Sequence, residues 1–342
     1  MHSRTYVVWL LSSGVVLLLI NHARHAWPTD QLAASSPPAS VVPLSAEDAL
    51  DIFIAADMSH FPGVAGVIRS ARAHSHGSRF RFHVATLPEQ ERAAWRAMEC
   101  FAACGQHLPA SECIRIIPMP TNWLRGRVRV LADPKVTGPL ASPLNFARFY
   151  LPRLLPRGVR RVLYLDADTI VRSDLRIVWR VALSPGAVAA AVPRHEAHFR
   201  YSRYARRCAH LFAERYGGKQ LNTSGETFNA GVVLYDLARW EAANLTLEAE
   251  WWMGQHLAAP NGLWDLGSQP ILHLVLHGRW AALPARWNVD GLGRIAHLNP
   301  EVLQTAQLLH WTGRRKPWLR DGLHASMFPL STSEVKRCDV RA

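Results

Sequence analysis

Arg161-Val162-Leu163-Tyr164-Leu165-Asp166-Ala167-Asp168-Thr169-Ile170-Val171 sets a short apolar run against two carboxylates spaced i and i+2. Residues 162–165 read as a buried strand, because aliphatic, β-branched and aromatic residues follow one another without a polar break. The acids then fall where the strand leaves the sheet. In open α/β sheets, ligands gather at that carboxyl edge. Two carboxylates there suit a hard divalent cation, which takes oxygen ligands and shares itself with substrate phosphates. Asp is also common in turns, so the pair alone leaves two readings open, a turn and part of a metal site.

On either side of this stretch the chain alternates strands and helices. Asp51-Ile52-Phe53-Ile54-Ala55 is a short strand running into Ala56-Asp57. Val64, Val67, Ile68 and Ala71 give residues 62–74 the spacing of an amphipathic helix. Residues 79–85 alternate apolar and polar, and Pro88 suits the first turn of a second helix. Residues 114–117 form a third strand. Helices are expected over 142–154, near 175–180, over 237–256 and over 267–276. Strands are expected over 187–192 and 229–235, the latter with Gly231 near its start. Residues 194–220 are basic and aromatic and take no clear assignment, and the remainder to Trp318 reads as loops and short pieces. This alternation implies an α/β fold with a mostly parallel central sheet and helices on both faces.

The chain has 342 residues, 49% of them hydrophobic, which is ample for a full core. The net charge of +13 is compatible with phosphorylated substrates, an acidic membrane surface or nucleic acid. Scattered Arg residues, with neither zinc-finger spacing nor an RNP-like motif, argue against nucleic acid. The five cysteines, Cys100, Cys104, Cys113, Cys208 and Cys338, show no C-x-x-C spacing. One or two disulfides are compatible with an oxidising compartment, and the spacing does not assign the pairs.

Residues 5–20 are apolar apart from Ser12 and Ser13, and shorter than the ~20 residues of an ordinary spanning helix. Ala23 and Ala26 have poor spacing for cleavage, which favours an uncleaved signal anchor over residues 1–26. A cleaved signal, giving a secreted protein, is the alternative. Residues 27–48, rich in Pro, Ser and Ala, read as a stem. A folded domain is expected over 49–330 and a C-terminal tail over 331–342. Asn222-Thr-Ser and Asn244-Leu-Thr are glycosylation sequons, consistent with a lumenal domain.

Several blocks occur together in a fixed order: Phe53-Ile-Ala-Ala-Asp57, Asn145-Phe-Ala-Arg-Phe-Tyr-Leu-Pro152, Val162-Leu-Tyr-Leu-Asp-Ala-Asp168, Phe228-Asn-Ala-Gly-Val-Val-Leu-Tyr-Asp-Leu237 and His310-Trp-Thr-Gly-Arg-Arg-Lys-Pro-Trp318. Over residues 50–320 the chain thereby resembles the family 8 glycosyltransferases, retaining enzymes that use nucleotide sugars on a Rossmann-like A-type fold. Trp287-Asn-Val and Gly291-Leu-Gly293 look like the glycosyltransferase 8 domain-containing branch, single-pass type II proteins of the Golgi membrane with a lumenal catalytic domain.

The resemblance implies a UDP-sugar donor, a glycan or glycoprotein acceptor, and Mn²⁺ or Mg²⁺ held by Asp166, Asp168 and His310. Mixed oxygen and imidazole ligands suit Mn²⁺ better than Ca²⁺. Ala55, Asp57, Arg148, Asp166, Ala167, Asn229, Ala230, Gly231, Gly313 and Lys316 are then expected around the donor. Asp57 would read uracil and ribose, Arg148 the phosphate or sugar, and Asn229, Ala230 and Gly231 the transferred sugar. Gly313 would allow backbone to approach the diphosphate, and Lys316 would bring a point charge to it. Asp265 and Gln269 are the candidates for the group near the anomeric carbon. They depart from the Asp-Gln pair usual in relatives, which leaves a covalent intermediate and a front-face substitution both open. A catalytically silent, lectin-like member of the same fold is the alternative to an enzyme. Arg200, Arg203, Arg206 and Arg207 suggest an acidic acceptor, against the plainer reading of a solvated face.

Overall fold

The computed structural model describes residues 10–11, 14–15, 49–75, 77–103, 113–128, 142–194, 198–265 and 267–340. Its centre is a seven-stranded sheet. The strands are β1 (Ala49–Ala55), β2 (Arg79–Thr86), β3 (Ile114–Pro118), β4 (Arg161–Leu165), β6 (Ala189–Pro193), β7 (Phe228–Asp236) and β8 (Trp280–Ala282), in the order β8-β6-β7-β4-β1-β2-β3. Every pairing is parallel except those of β7 with β4 and β6. A second, two-stranded sheet pairs β5 (Thr169–Val171) with β9 (Leu308–His310).

The sheet divides two cores, and the period of two along each strand decides which residue enters which. Leu50, Ile52 and Ile54 of β1 and Leu163 and Leu165 of β4 face one side. There they meet α1 (Phe61–His74) and α2 (Glu91–Ala103) through Val64, Ile68, Ala97 and Phe101. Phe53, Val162 and Tyr164 face the other side. Their partners are α3 (His198–Arg215), α4 (Leu245–Ala258) and α5 (Gln269–Val275), which contribute Tyr204, Trp252 and Leu272.

Some expectations change. The helix expected over 142–154 is a 3₁₀ stretch, Pro143–Phe149, followed by one α turn, Leu151–Leu154. Pro143 opens the first piece and Pro152 is the second residue of the other, and proline lacks the N–H that a continuous helix would need. The helix expected over 237–256 is broken into Leu237–Ala242 and α4, because Asn244 adopts a left-handed conformation at φ 53°. The unassigned basic region contains α3. Arg203, Arg206 and Arg207 lie on its exposed face, opposite Tyr204 and Cys208.

Residues 331–340, expected as a tail, fold back onto the domain. Ser331 and Glu334 form a capping box at the start of α6 (Thr332–Arg337), and Cys338 is bonded to Cys100 of α2. Among the described residues, no helix is long and apolar enough to cross a membrane. The expected anchor and stem lie outside the described residues, apart from Leu10–Leu11 pairing with Gly14–Val15.

Candidate active site

Three strands place the acidic pair and the histidine. In the β5–β9 pairing, His310 stands opposite Thr169. The Trp311 N–H then donates to the Asp168 carbonyl at 2.9 Å, which pins the histidine loop to the acidic loop. On the other side, the Asp166 N–H donates to the Gly231 carbonyl of β7 at 2.8 Å. Register therefore brings together residues that are far apart in sequence.

His310 is 2% exposed, and its Nε2 lies 3.2 Å from Asp168 Oδ1 and 3.7 Å from Asp166 Oδ2. One ligand atom from each of the three residues lies within 4.8 Å of the other two. Adjacent ligands on a small octahedral cation, bound at ~2.1 Å, stand about 3 Å apart. Two carboxylates and an imidazole at these separations fit Mn²⁺ or Mg²⁺. Lys316 Nζ is paired with Asp168 Oδ2 and also donates to the Trp311 carbonyl at 2.9 Å. Burial opposes charge on Asp168, but Lys316 and His310 hold its carboxyl far below the usual range. Burial likewise opposes the imidazolium of His310, and the Asp168 and Asp166 carboxylates overcome it and raise its pKa.

Gly231 is needed where it stands. A Cβ there would lie 2.2 Å from His310 Cε1 and 2.7 Å from Asp166 Oδ2. The backbone itself also requires glycine at Gly313. Its φ is 114°, and a Cβ would lie 2.7 Å from the Gly293 carbonyl oxygen. Gly63 lets the start of α1 meet the acidic loop, since a Cβ there would lie 2.2 Å from the Ala167 oxygen.

Arg148 is 4% exposed and braces the site from beneath. It donates to the Ala230 carbonyl at 2.9 Å, to the Tyr164 hydroxyl at 3.0 Å and to Asp166 Oδ1 at 3.4 Å, with its guanidinium over the Tyr164 ring. Gln269 starts α5, and its Oε1 accepts the Ala230 N–H at 3.4 Å, so it faces the same loop. Asp265 is exposed and lies before the start of α5.

Asp57 follows β1 at the same sheet edge, with Ala55 the last residue of that strand. Its Oδ1 accepts from the Ser59 N–H, the Ser59 hydroxyl and the His60 ring. Burial would raise its pKa, but these bonds bring it down to about 2. The Trp318 indole donates to the Ser59 carbonyl at 3.0 Å, tying the Lys316-Pro317-Trp318 segment to the Asp57 loop.

Sequence reasoning missed Asn288 and Asp290. Asn288 Oδ1 lies 2.9 Å from His310 Nδ1, and its Nδ2 donates to Asn229 Oδ1 at 3.2 Å. Asn229 also accepts the Gly231 N–H at 2.8 Å and donates to Asp290 Oδ2 at 3.1 Å. Asp290 is buried against Arg194 at 3.2 Å and Arg294 at 3.8 Å. The one available signal was Trp287-Asn-Val, which looked like the branch without suggesting a role and stops short of Asp290.

Residues 51–322 match the family described as Glycosyl transferase family 8. The chain belongs to that family. Among its relatives, a probable galacturonosyltransferase-like 3 of Arabidopsis thaliana is 34% identical over 207 residues, 56% of this chain and 55% of the relative. Glycosyltransferase 8 domain-containing protein 1 of Bos taurus is 29% identical over 307 residues, covering 82% of this chain and 76% of that protein. The chain spans about half the length of several curated family members it matches, 55% and 53% for two plant ones. Of solved structures, an active-site Gln-to-Glu mutant of LgtC superposes with a TM-score of 0.61 at 22% identity, over 84% of this chain and 96% of LgtC. That likeness supports the A-type family 8 fold.

Proposed function

We propose that this chain is a retaining glycosyltransferase that moves a hexosyl or uronosyl unit from a UDP-sugar to a glycan or glycoprotein hydroxyl, with Mn²⁺ or Mg²⁺ on the donor diphosphate. The observation that carries this reading is the convergence of Asp166, Asp168 and His310 beside Lys316 at the carboxyl edge of the sheet. Membership of family 8 supports the reaction class, and the names of the plant relatives favour a uronosyl donor.

Asp166, Asp168 and His310 would hold the cation, which when bound acts as a Lewis acid on the diphosphate. Lys316 adds positive charge where the diphosphate departs, the place where negative charge grows in the transition state. The Asp57 loop takes the uridine. The bond from the anomeric carbon to the β-phosphate oxygen breaks, and a bond to the acceptor oxygen forms on the same face. The acceptor proton leaves with the phosphate, and UDP is released. Gln269, held against the Ala230 N–H, positions groups at the sugar rather than attacking it, since an amide is a poor nucleophile. The exposure of Asp265 argues against its serving as a desolvated nucleophile.

The Cys100–Cys338 disulfide and the exposed sequon residues Asn222 and Asn244 support a lumenal domain, and we place it in the Golgi as a type II membrane protein. UDP release from a panel of UDP-sugars, with and without Mn²⁺, tests the function. One or a few donors are expected to turn over only with the metal. Tight UDP binding with no metal-dependent turnover for any donor would replace the enzyme with a silent nucleotide-sugar-binding member.

A further inference from the structure

We propose that Asp290, Asn229 and Asn288 form a directional hydrogen-bond relay that fixes the tautomer of His310, keeping the proton on Nδ1 so that the Nε2 lone pair is free for a cation held with Asp166 and Asp168. Asn229 and Asn288 are then positioning residues. The proposal rests on the metal reading above for its purpose, and on hydrogen-bond direction for its argument.

An amide side chain can be turned either way, so its orientation must come from partners whose roles are fixed. Asn229 has two such partners. The Gly231 backbone N–H can only donate, and it meets Oδ1 at 2.8 Å. The Asp290 carboxylate, its charge balanced by Arg194 and Arg294, accepts from Nδ2 at 3.1 Å. Turning Asn229 over would set donor against donor at one end and acceptor against acceptor at the other. With Asn229 Oδ1 fixed, the Asn288 atom 3.2 Å away must be its NH₂. Asn288 Oδ1 then faces His310 Nδ1 at 2.9 Å, and that nitrogen must carry the hydrogen.

All of these groups are buried, so water does not compete for the directions. A metal ligand needs a lone pair, and the bond at the far ring nitrogen selects which nitrogen has it. Both ends of the Asn229 amide are taken by protein partners. These bonds set Asn229 behind His310, and they use one of its two Nδ2 hydrogens.

Two measurements on the full-length protein test the relay. The first is the long-range ¹H–¹⁵N spectrum of His310 in metal-free protein at alkaline pH, where the ring is neutral. It should report protonated Nδ1 and bare Nε2 in the wild type and in Asn288→Asp, which keeps an acceptor for Nδ1–H. Asn288→Ala should give a mixture. The second is Mn²⁺ titration followed by electron paramagnetic resonance. Asn288→Ala should bind about 10–100-fold more weakly, with Asn288→Asp restoring most of the loss.

A wild-type ring protonated at Nε2 overturns the relay even if no variant folds. So does a folded Asn288→Ala with wild-type tautomer and Mn²⁺ affinity. Failure of the wild type to bind Mn²⁺ contradicts the proposed function instead, and leaves the tautomer to decide the relay.

Discussion

Gly231 lies where β7 passes beside Asp166 and His310, and the 2.2 Å left between a built Cβ and His310 leaves no room for a side chain. Gly231→Ala is expected to cost on the order of 1–3 kcal/mol in folding stability by overpacking. It should also weaken Mn²⁺ binding, because the ring must move. Urea unfolding and a metal titration on the same protein check both effects. Lys316→Ala should lower turnover of the UDP-sugar more than affinity for uridine. Equal losses for uridine and UDP-sugar would argue against a phosphate role. At this scale, the sequence made the acids legible because a strand pattern ends on them. His310 gained meaning only from its motif, since one histidine among 17 carries little signal. Asn288 and Asp290 act through hydrogen bonds to residues distant in the chain, and no local spacing announces such bonds.

The elements are joined by a few specific ties, and these make the next predictions. His273 of α5 donates from Nε2 to the Phe228 carbonyl at 2.9 Å, and its Nδ1 accepts from the Tyr204 hydroxyl of α3. Burial brings its pKa down to about 4. Because the folded state holds the ring neutral, this stabilisation is complete above the ordinary value of about 6.5. It is lost as pH falls from there toward 4. The loss is on the order of 3 kcal/mol. Urea midpoints measured at several pH values should fall across that window, and the fall should be shallower in His273→Gln. An equal slope in the variant would remove His273 from the explanation.

The Cys100–Cys338 bond closes a loop with a sequence separation of 238. Cys338→Ser is expected to lose roughly 2–5 kcal/mol, read as a lower melting temperature, with donor turnover retained at moderate temperature. Long elements were legible from periodicity, as α1 and β2 illustrate. β8 and β9, three residues each, are too short to show a period, yet β9 delivers His310. α3 carries a helical stripe in Tyr201, Tyr204, Ala205, Cys208 and Phe212, which its arginines obscured.

In the whole molecule, the parallel strands β1 and β4 point their carboxyl ends the same way, which puts Asp57 and Asp166 on one edge. The antiparallel β7 enters from that edge with Asn229, Ala230 and Gly231. The last motif reaches the edge through β9 and is fastened to the first by Trp318 on Ser59. The α/β class and mostly parallel sheet followed from alternation alone. The reversal of β7 did not, because strand direction depends on crossovers that local pattern does not encode. The central claim is that Asp166, Asp168 and His310 hold a divalent cation through which the nucleotide diphosphate is bound. Calorimetric titration of UDP into the wild type and Asp168→Ala, each with and without Mn²⁺, tests it most directly. Mn²⁺ should raise UDP affinity about tenfold or more in the wild type, or ~1.4 kcal/mol, and leave it unchanged in a folded Asp168→Ala protein. The same Mn²⁺ enhancement in that variant, or none in the wild type, would contradict the account.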